Sequence, residues 1–255
     1  AYNGLERRLL RLPDQVCVPA TPIAERLRAA GREAPIAVLP NAIEASAQGI
    51  ADAERTTARR ALALPGDAFV VACIGRLSRE KGVDLLIGAL AQARSVLRTP
   101  RVLVVGDGPE RARLERLRER LGLGDELRLM GQAGDVRPVL AAADVVAIPS
   151  RSEGLPNVAL EALDAGRPIL ATAVGALPDL VRDGSTGWLV PPGDVAALAA
   201  ALRRAAATPH RAAMGALGRT HVLPAYSARA RLERLFGLYA DLARPMAADR
   251  KEVAA

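Results

Sequence analysis

The chain has 255 residues, half of them hydrophobic, a quarter charged and 2% aromatic, with a formal net charge of +7. That apolar fraction excludes a disordered chain, and no uninterrupted apolar run reaches the ~20 residues that span a bilayer. Only two cysteines (Cys17, Cys73) and two histidines (His210, His221) are present, which excludes a disulfide scaffold, a four-cysteine metal site and a His-rich metal centre. A soluble α/β protein of a reducing compartment remains.

In chain order, Tyr2 to Leu12 carries apolar residues at helical spacing, and Gln15 to Val18 is a short β-favouring run. Thr21-Pro22 signals a helix start, as cap and first position, running through Ala30 to Gly31. Ile36 to Leu39 is a strand ended by Pro40-Asn41. A chain that opens inside such an alternation reads as the tail end of a larger domain. From Ala68 the alternation becomes regular. Strands are predicted at Ala68–Ile74, Val102–Val105, Leu127–Met130, Val145–Pro149, Ile169–Ala171 and Trp188–Val190. Helices are predicted from Val83 to about Leu97, after Pro109, from about Asp135, from about Pro156, near Leu177–Val181 and from Asp194. Near-continuous apolar strands alternating with helices predict a doubly wound, six-stranded parallel sheet covered on both faces. A last amphipathic helix spans Tyr226 to Leu242, before a polar tail. The units expected are 1–44, the end of a preceding domain and a hinge; 45–224, the main domain; and 225–255, the final helix and tail.

The positive charge is nearly all arginine, since lysine occurs only at Lys81 and Lys251. Between Glu110 and Gly122 the arginines alternate with glutamates, the pattern of a solvated helix face. A nucleic-acid binder gathers its charge and interleaves aromatics, so no nucleic-acid partner is expected. Attraction to anionic phosphates or to a membrane surface remains open.

In a doubly wound sheet, ligands bind beyond the carboxyl ends of the strands, where the strand order reverses. The first strand is followed by GRLSREKG (Gly75 to Gly82), which supplies Arg76 and Lys81; the fourth by SRSEGLPN (Ser150 to Asn157), which supplies Glu153, Gly154 and a Pro156 suited to an early helical position. Cations facing a helix N-terminus make a site for a diphosphate. The bland alternative has Arg76 and Lys81 as surface charges paired with Glu80 or Asp84. Glu161, eight residues after Glu153, either stabilises its helix N-terminus or accepts hydrogen bonds from vicinal hydroxyls. GDGPE (Gly106 to Glu110) follows the second strand and lacks the third glycine of a dinucleotide fingerprint, so it reads as a tight turn that needs two glycines. Gly131-Gln132, after the third strand, is placed to approach a nucleobase through its backbone. No Asp-x-Asp occurs, so a diphosphate is expected to be neutralised by Arg76 and Lys81 without a metal or other cofactor.

Together GRLSREKGVDLL, VLVVGDGPERARLERL, LRLMGQAGDV and the run from Ala143 to Asp194 closely resemble the nucleotide-sugar-binding half of retaining GT-B glycosyltransferases, glycosyltransferase family 4, over about Ile36 to Ala206. Glu153 to Glu161 resembles that family's Glu-x7-Glu motif. The resemblance implies a metal-independent enzyme that moves a sugar from a nucleoside-diphosphate sugar to an acceptor hydroxyl. Arg76 and Lys81 would hold the diphosphate, Glu161 the ribose hydroxyls and Glu153 the sugar hydroxyls. Gly75, Gly131 and the backbone at Gly154, Leu155, Pro156 and Asn157 would complete the donor site. PNAIE (Pro40 to Glu44) resembles the family's hinge entry, with Ala42 in place of its usual glycine. Family members carry a whole N-terminal acceptor domain, so the resemblance implies that this chain holds mainly the donor half and that its final helix meets the missing domain. It further implies a cytoplasmic setting, with glycan or lipid-linked acceptors at the inner membrane face, in surface-polysaccharide or lipopolysaccharide synthesis. A non-catalytic nucleotide-sugar-binding module and a GT-B-like epimerase or phosphorylase are the alternatives.

Overall fold

The run FVVACI is buried along almost its whole length, with successive side chains serving two separate cores. Val70 and Ala72 enter one, Phe69, Val71 and Cys73 the other. That two-residue period, carried by an unbroken apolar run, is what a strand covered on both faces requires. A computed structural model describes residues 15–32, 35–46 and 49–243. The helix expected at Tyr2–Leu12 and the polar tail lie outside the described residues.

Two short strands, β1 (Val16–Val18) and β2 (Ile36–Val38), pair in parallel around α1 (Thr21–Ala29). Helix α1 begins one residue earlier than its Thr21-Pro22 signal suggests: Ala20 is the N-cap, Pro22 follows Thr21 inside the first turn, and no side chain caps the end. Helix α2 (Asp52–Ala61) leads into β3 (Phe69–Ile74). The main sheet continues with α3 (Val83–Ala93), β4 (Pro100–Val105), α4 (Arg111–Arg120), β5 (Leu127–Gly131), α5 (Arg137–Ala142) and β6 (Val145–Ile148). Then come α6 (Asn157–Asp164), β7 (Ile169–Thr172), α7 (Leu177–Leu180), β8 (Gly187–Val190), α8 (Val195–Ala207), α9 (Arg211–His221) and α10 (Ala228–Ala243).

The six-stranded sheet has the order β5-β4-β3-β6-β7-β8, and every pairing is parallel. Helices α3, α4 and α8 bury their apolar faces on one side, α5, α6 and α7 on the other. The chain therefore changes face on leaving β5, and the order reverses between β3 and β6. Helix α3 stops at Ala93 and tightens into a 3-10 turn, Arg94–Val96, short of the expected Leu97. Asp194 caps α8, accepting a hydrogen bond from the amide of Ala197 at 2.8 Å.

Helices α2 and α9 are absent from the sequence expectation. Among the α2 residues only Ala58 is buried, so no apolar stripe marks it. Its anchor is ionic: Arg55 and Arg59 reach the two oxygens of Asp144 at 2.6 and 2.8 Å, and the amide of Val70 donates to the same carboxylate at 2.8 Å. Helix α9 instead buries Met214 and the glycines Gly215 and Gly218, and a β-carbon on Gly215 would stand 2.0 Å from the carbonyl oxygen of Gly166. The final helix begins at Ala228, after a 3-10 turn at Leu223–Tyr226, with the Ser227 hydroxyl accepting from the amide of Ala230 at 3.2 Å. Its Leu232, Phe236 and Tyr239 are exposed and Leu235 is half-buried.

Candidate active site

At the carboxyl ends of β3, β4 and β5 the loops are joined by backbone bonds. Gly75 donates to Val105 at 2.9 Å, Gly106 to Gly131 at 2.8 Å, Leu77 to Asp107 at 2.9 Å, and Glu110 back to Leu77 at 3.0 Å. A β-carbon on Gly106 would lie 1.9 Å from the Gly75 carbonyl oxygen, and one on Gly108 2.4 Å from that of Leu77. GDGPE is thus a tight turn demanding close backbone approach, as its missing third glycine implies. Across the reversal point, Gly82 (φ +66°) presses against the carbonyl of Pro149 at the end of β6. The loops after β3 and β6 are in backbone contact.

Between them lies a cleft of about 460 Å3 lined by Gly75, Arg76, Lys81, Pro156, Asn157 and Glu161, with Gly134, Asp135 and Val136 along its far wall. Gly131 closes β5 and accepts from Gly106, but it does not line this cleft. Gly154 and Leu155, expected in the donor site, do not line it: the Gly154 carbonyl accepts from Ala176 at 2.8 Å, and that of Leu155 from the Asn41 side chain at 3.0 Å. Asn41 also donates to Oδ1 of Asn157 at 3.0 Å, which ties the hinge asparagine to the cleft rim.

Lys81 does not take either partner offered by the bland alternative. Its Nζ donates to Oε1 of Glu153 at 2.7 Å, and the buried hydroxyl of Ser150 donates to the same oxygen at 2.7 Å. Asp84 is held by Arg151 instead, through two bonds of 2.8 and 2.9 Å. Arg76 is exposed and makes no hydrogen bond or ion pair with a described residue, although its charge, with that of Lys81, helps to hold the Glu80 carboxyl below the usual range. Pro156 sits one place before its expected position: it is the N-cap, and α6 opens at Asn157. The amides of Asn157 and Val158 find no backbone acceptor among the described residues, as expected of a first helical turn. Their positive ends border the cleft.

Glu161, on the second turn of α6, is half-buried and accepts no hydrogen bond from a described side chain. Burial pushes its carboxyl pKa above the usual carboxylate range. Beside the cleft a small cavity is lined by Cys73, Ser150 and Glu153 and shares Arg76 and Lys81 with it; burial lifts the Cys73 thiol there to about 12, so it stays protonated at neutral pH. Among the described residues no three His, Cys, Asp or Glu side chains gather as a metal would require. No described helix is long and apolar enough to cross a membrane. The cleft thus offers an exposed guanidinium, an ammonium shared with a carboxylate, free amides and one unpaired carboxylate.

The family model for glycosyl transferases group 1 matches residues 68–208, more than half of the chain. The chain belongs to this family. A D-inositol 3-phosphate glycosyltransferase of Saccharomonospora viridis is 37% identical over 198 residues, 73% of this chain and 46% of that protein. A 2-deoxystreptamine glucosyltransferase of Streptomyces kanamyceticus is 36% identical over 188 residues, covering 72% of this chain and 48% of the relative. The chain therefore spans about half the length of the curated relatives it matches. Among solved structures, a sucrose-phosphate synthase from Thermosynechococcus elongatus superposes with a TM-score of 0.82 at 32% identity, covering 93% of this chain and 60% of that one. Anabaena HepE in complex with UDP-glucose reaches a TM-score of 0.86 at 24% identity, covering 94% and 68%, a likeness of fold. The chain thus has the α/β fold, with its six-stranded parallel sheet, that these GT-B neighbours share over the part it covers.

Proposed function

We propose that the chain is the donor-binding half of a retaining glycosyltransferase, which moves a sugar from a nucleoside-diphosphate sugar to an acceptor hydroxyl. The observation that carries this reading is the meeting of Arg76, Lys81, Glu161 and the start of α6 in one cleft at the strand-order reversal. Two cations and two amides suit a diphosphate, and an unpaired carboxylate a short distance along the same helix suits vicinal ribose hydroxyls. As the bond from the anomeric carbon to the phosphate oxygen breaks, negative charge grows on the leaving diphosphate. Arg76, Lys81 and the α6 amides stabilise that charge, each such donor contributing on the order of 3 kcal/mol. In this reading they do so without a metal.

Glu153 orients the sugar through its hydroxyls. To do so it exchanges its bond with Lys81 for the substrate, while Lys81 turns to the diphosphate. Gly131 and the backbone of Gly154 and Leu155 support base and sugar from behind. Acceptor binding belongs to the other half of the enzyme, so the 255-residue chain binds donor without transferring it. One relative, of Rhizobium meliloti, is named a lipopolysaccharide core biosynthesis glycosyltransferase. We place the reaction accordingly at the cytoplasmic face of the membrane, with a glycan or lipid-linked acceptor.

Isothermal titration calorimetry with UDP, GDP, ADP and their glucose conjugates tests the reading. One base series binds the unsubstituted chain, and Arg76→Ala weakens its diphosphate about tenfold or more. No binding by any of them, or an Arg76→Ala affinity equal to the original, removes the donor assignment.

A further inference from the structure

Arg151 lines neither the cleft nor the small cavity beside it, yet it joins the two loops that supply both. Its guanidinium forks onto Asp84, Nη1 to Oδ1 at 2.8 Å and Nη2 to Oδ2 at 2.9 Å. Nη1 also donates to the carbonyl of Arg79 at 2.9 Å, and the Arg151 amide donates to the carbonyl of Glu80 at 2.7 Å. Asp84 lies in the first turn of α3, just past Lys81, while Arg151 sits two residues before Glu153. A planar fork fixes angle as well as distance, which a single contact between charges does not.

The pair stays ionised at neutral pH. Burial alone would raise the Asp84 carboxyl, but the bond and charge of Arg151, with Arg113 at 3.6 Å, outweigh it and hold it below the usual range. Arg151 is held higher still by the same carboxylate.

On the donor-site reading given above, we propose that Asp84 and Arg151 form a positioning pair. They set the separation between Lys81, which meets the diphosphate, and Glu153, which meets the sugar. The pair acts through these two side chains and touches no substrate itself. Loss of the fork lets the loop after β6 rotate about its backbone contacts, and the cation and carboxylate lose their common frame. The effect falls on the diphosphate and sugar and spares the nucleoside, which rests on β5 and Glu161.

The test uses the 255-residue chain and calorimetry with the monophosphate, diphosphate and diphosphate-glucose of uridine, guanosine and adenosine. Arg151→Lys keeps the charge and removes the fork; Asp84→Asn keeps the shape and removes the charge. For the base that the unsubstituted chain binds, both variants hold the monophosphate within about twofold and lose about tenfold on the diphosphate and its glucose conjugate. In a Lys81→Ala background, Asp84→Asn changes diphosphate affinity less than about twofold, because nothing is left to position. Unchanged diphosphate affinity in both variants overturns the proposal. So does equal weakening of mono- and diphosphate, or an undiminished effect in the Lys81→Ala background, each of which marks a pair that only holds the fold. Should Asp84→Asn fail to fold, Arg151→Lys decides alone. If the unsubstituted chain binds none of the nucleotides, the donor reading fails and takes this proposal with it.

Discussion

Replacing Gly82 with alanine asks whether the loops after β3 and β6 behave as one body. Gly82 holds φ +66°, and a β-carbon there would stand 2.0 Å from the carbonyl oxygen of Pro149 and 2.9 Å from its carbonyl carbon. Left-handed backbone costs a non-glycine residue about 1–2 kcal/mol. Ordinary contact begins near 3.4 Å, so the loops must part by about 1.4 Å, and Pro149 presents backbone that cannot swing aside. Such overpacking adds about 1–3 kcal/mol, for a total of about 3 kcal/mol. In a chain of this size that lowers Tm by about 6–12 °C. Gly184→Ala is the control: its φ is +73° with nothing within 4 Å of the added carbon, so it carries the backbone share alone, about half the drop. Parting the loops also draws Lys81 away from the α6 amides of Asn157 and Val158, with which it shares the diphosphate, and nucleoside-diphosphate affinity falls about tenfold. Differential scanning calorimetry gives the first number and titration calorimetry the second. A Gly82→Ala chain that melts no lower than Gly184→Ala and binds diphosphate undiminished refutes the coupling.

Glu161→Gln separates two consequences of one half-buried carboxylate. Because its folded pKa is raised, the ionised form costs stability, fully so above that pKa; the cost disappears as pH falls towards the unfolded value. The glutamine variant is therefore more thermostable than the original at neutral pH and no more so in acid. If the carboxylate grips ribose hydroxyls, nucleotide affinity of the original chain declines as pH drops through the raised pKa, and the variant shows a weaker, flat profile by titration calorimetry. Asp144→Ala leaves Arg55 and Arg59 without their carboxylate and the Val70 amide without an acceptor. A loss of about 3–5 kcal/mol is expected in urea unfolding, the range for breaking a buried pair. A loss under about 1 kcal/mol would show that α2 is held by something else.

The six strands, their shared direction and the reversal between the first and fourth were legible because each strand is an unbroken apolar run between helical stretches. Val70 to Ile74 and Val145 to Ile148 announce themselves by composition alone. Helix α2 does not, since it docks through arginines on a carboxylate nearly ninety residues away and carries no apolar stripe. Helix α9 packs through glycines, which weaken any helical signal. The same limit applies at the cleft. Arg76, Lys81, Asn157 and Glu161 could be gathered from their places after β3 and β6, but not the Lys81–Glu153 bond. Which of Glu80, Asp84 and Glu153 meets Lys81 depends on how two loops are set against each other, and local spacing is silent on that. Arg151 carried no motif. Its partnership with Asp84 emerges only once Gly82 and Pro149 bring the loops into contact.

The seam that stitches the ends of β3, β4 and β5 is written in main-chain atoms. Amides and carbonyls of Gly75, Leu77, Val105, Gly106, Asp107 and Gly131 carry it, whereas the Asp107 side chain bonds only to its neighbouring amide at Gly108. Residues such as Asp107, Met130 and Gln132 are thus free to be rewritten without moving the scaffold, provided Gly106 and Gly108 stay. A library confined to those exposed positions would change the surface at the ends of β4 and β5 while leaving the main-chain seam, and with it the footing of the Gly75–Lys81 loop, in place.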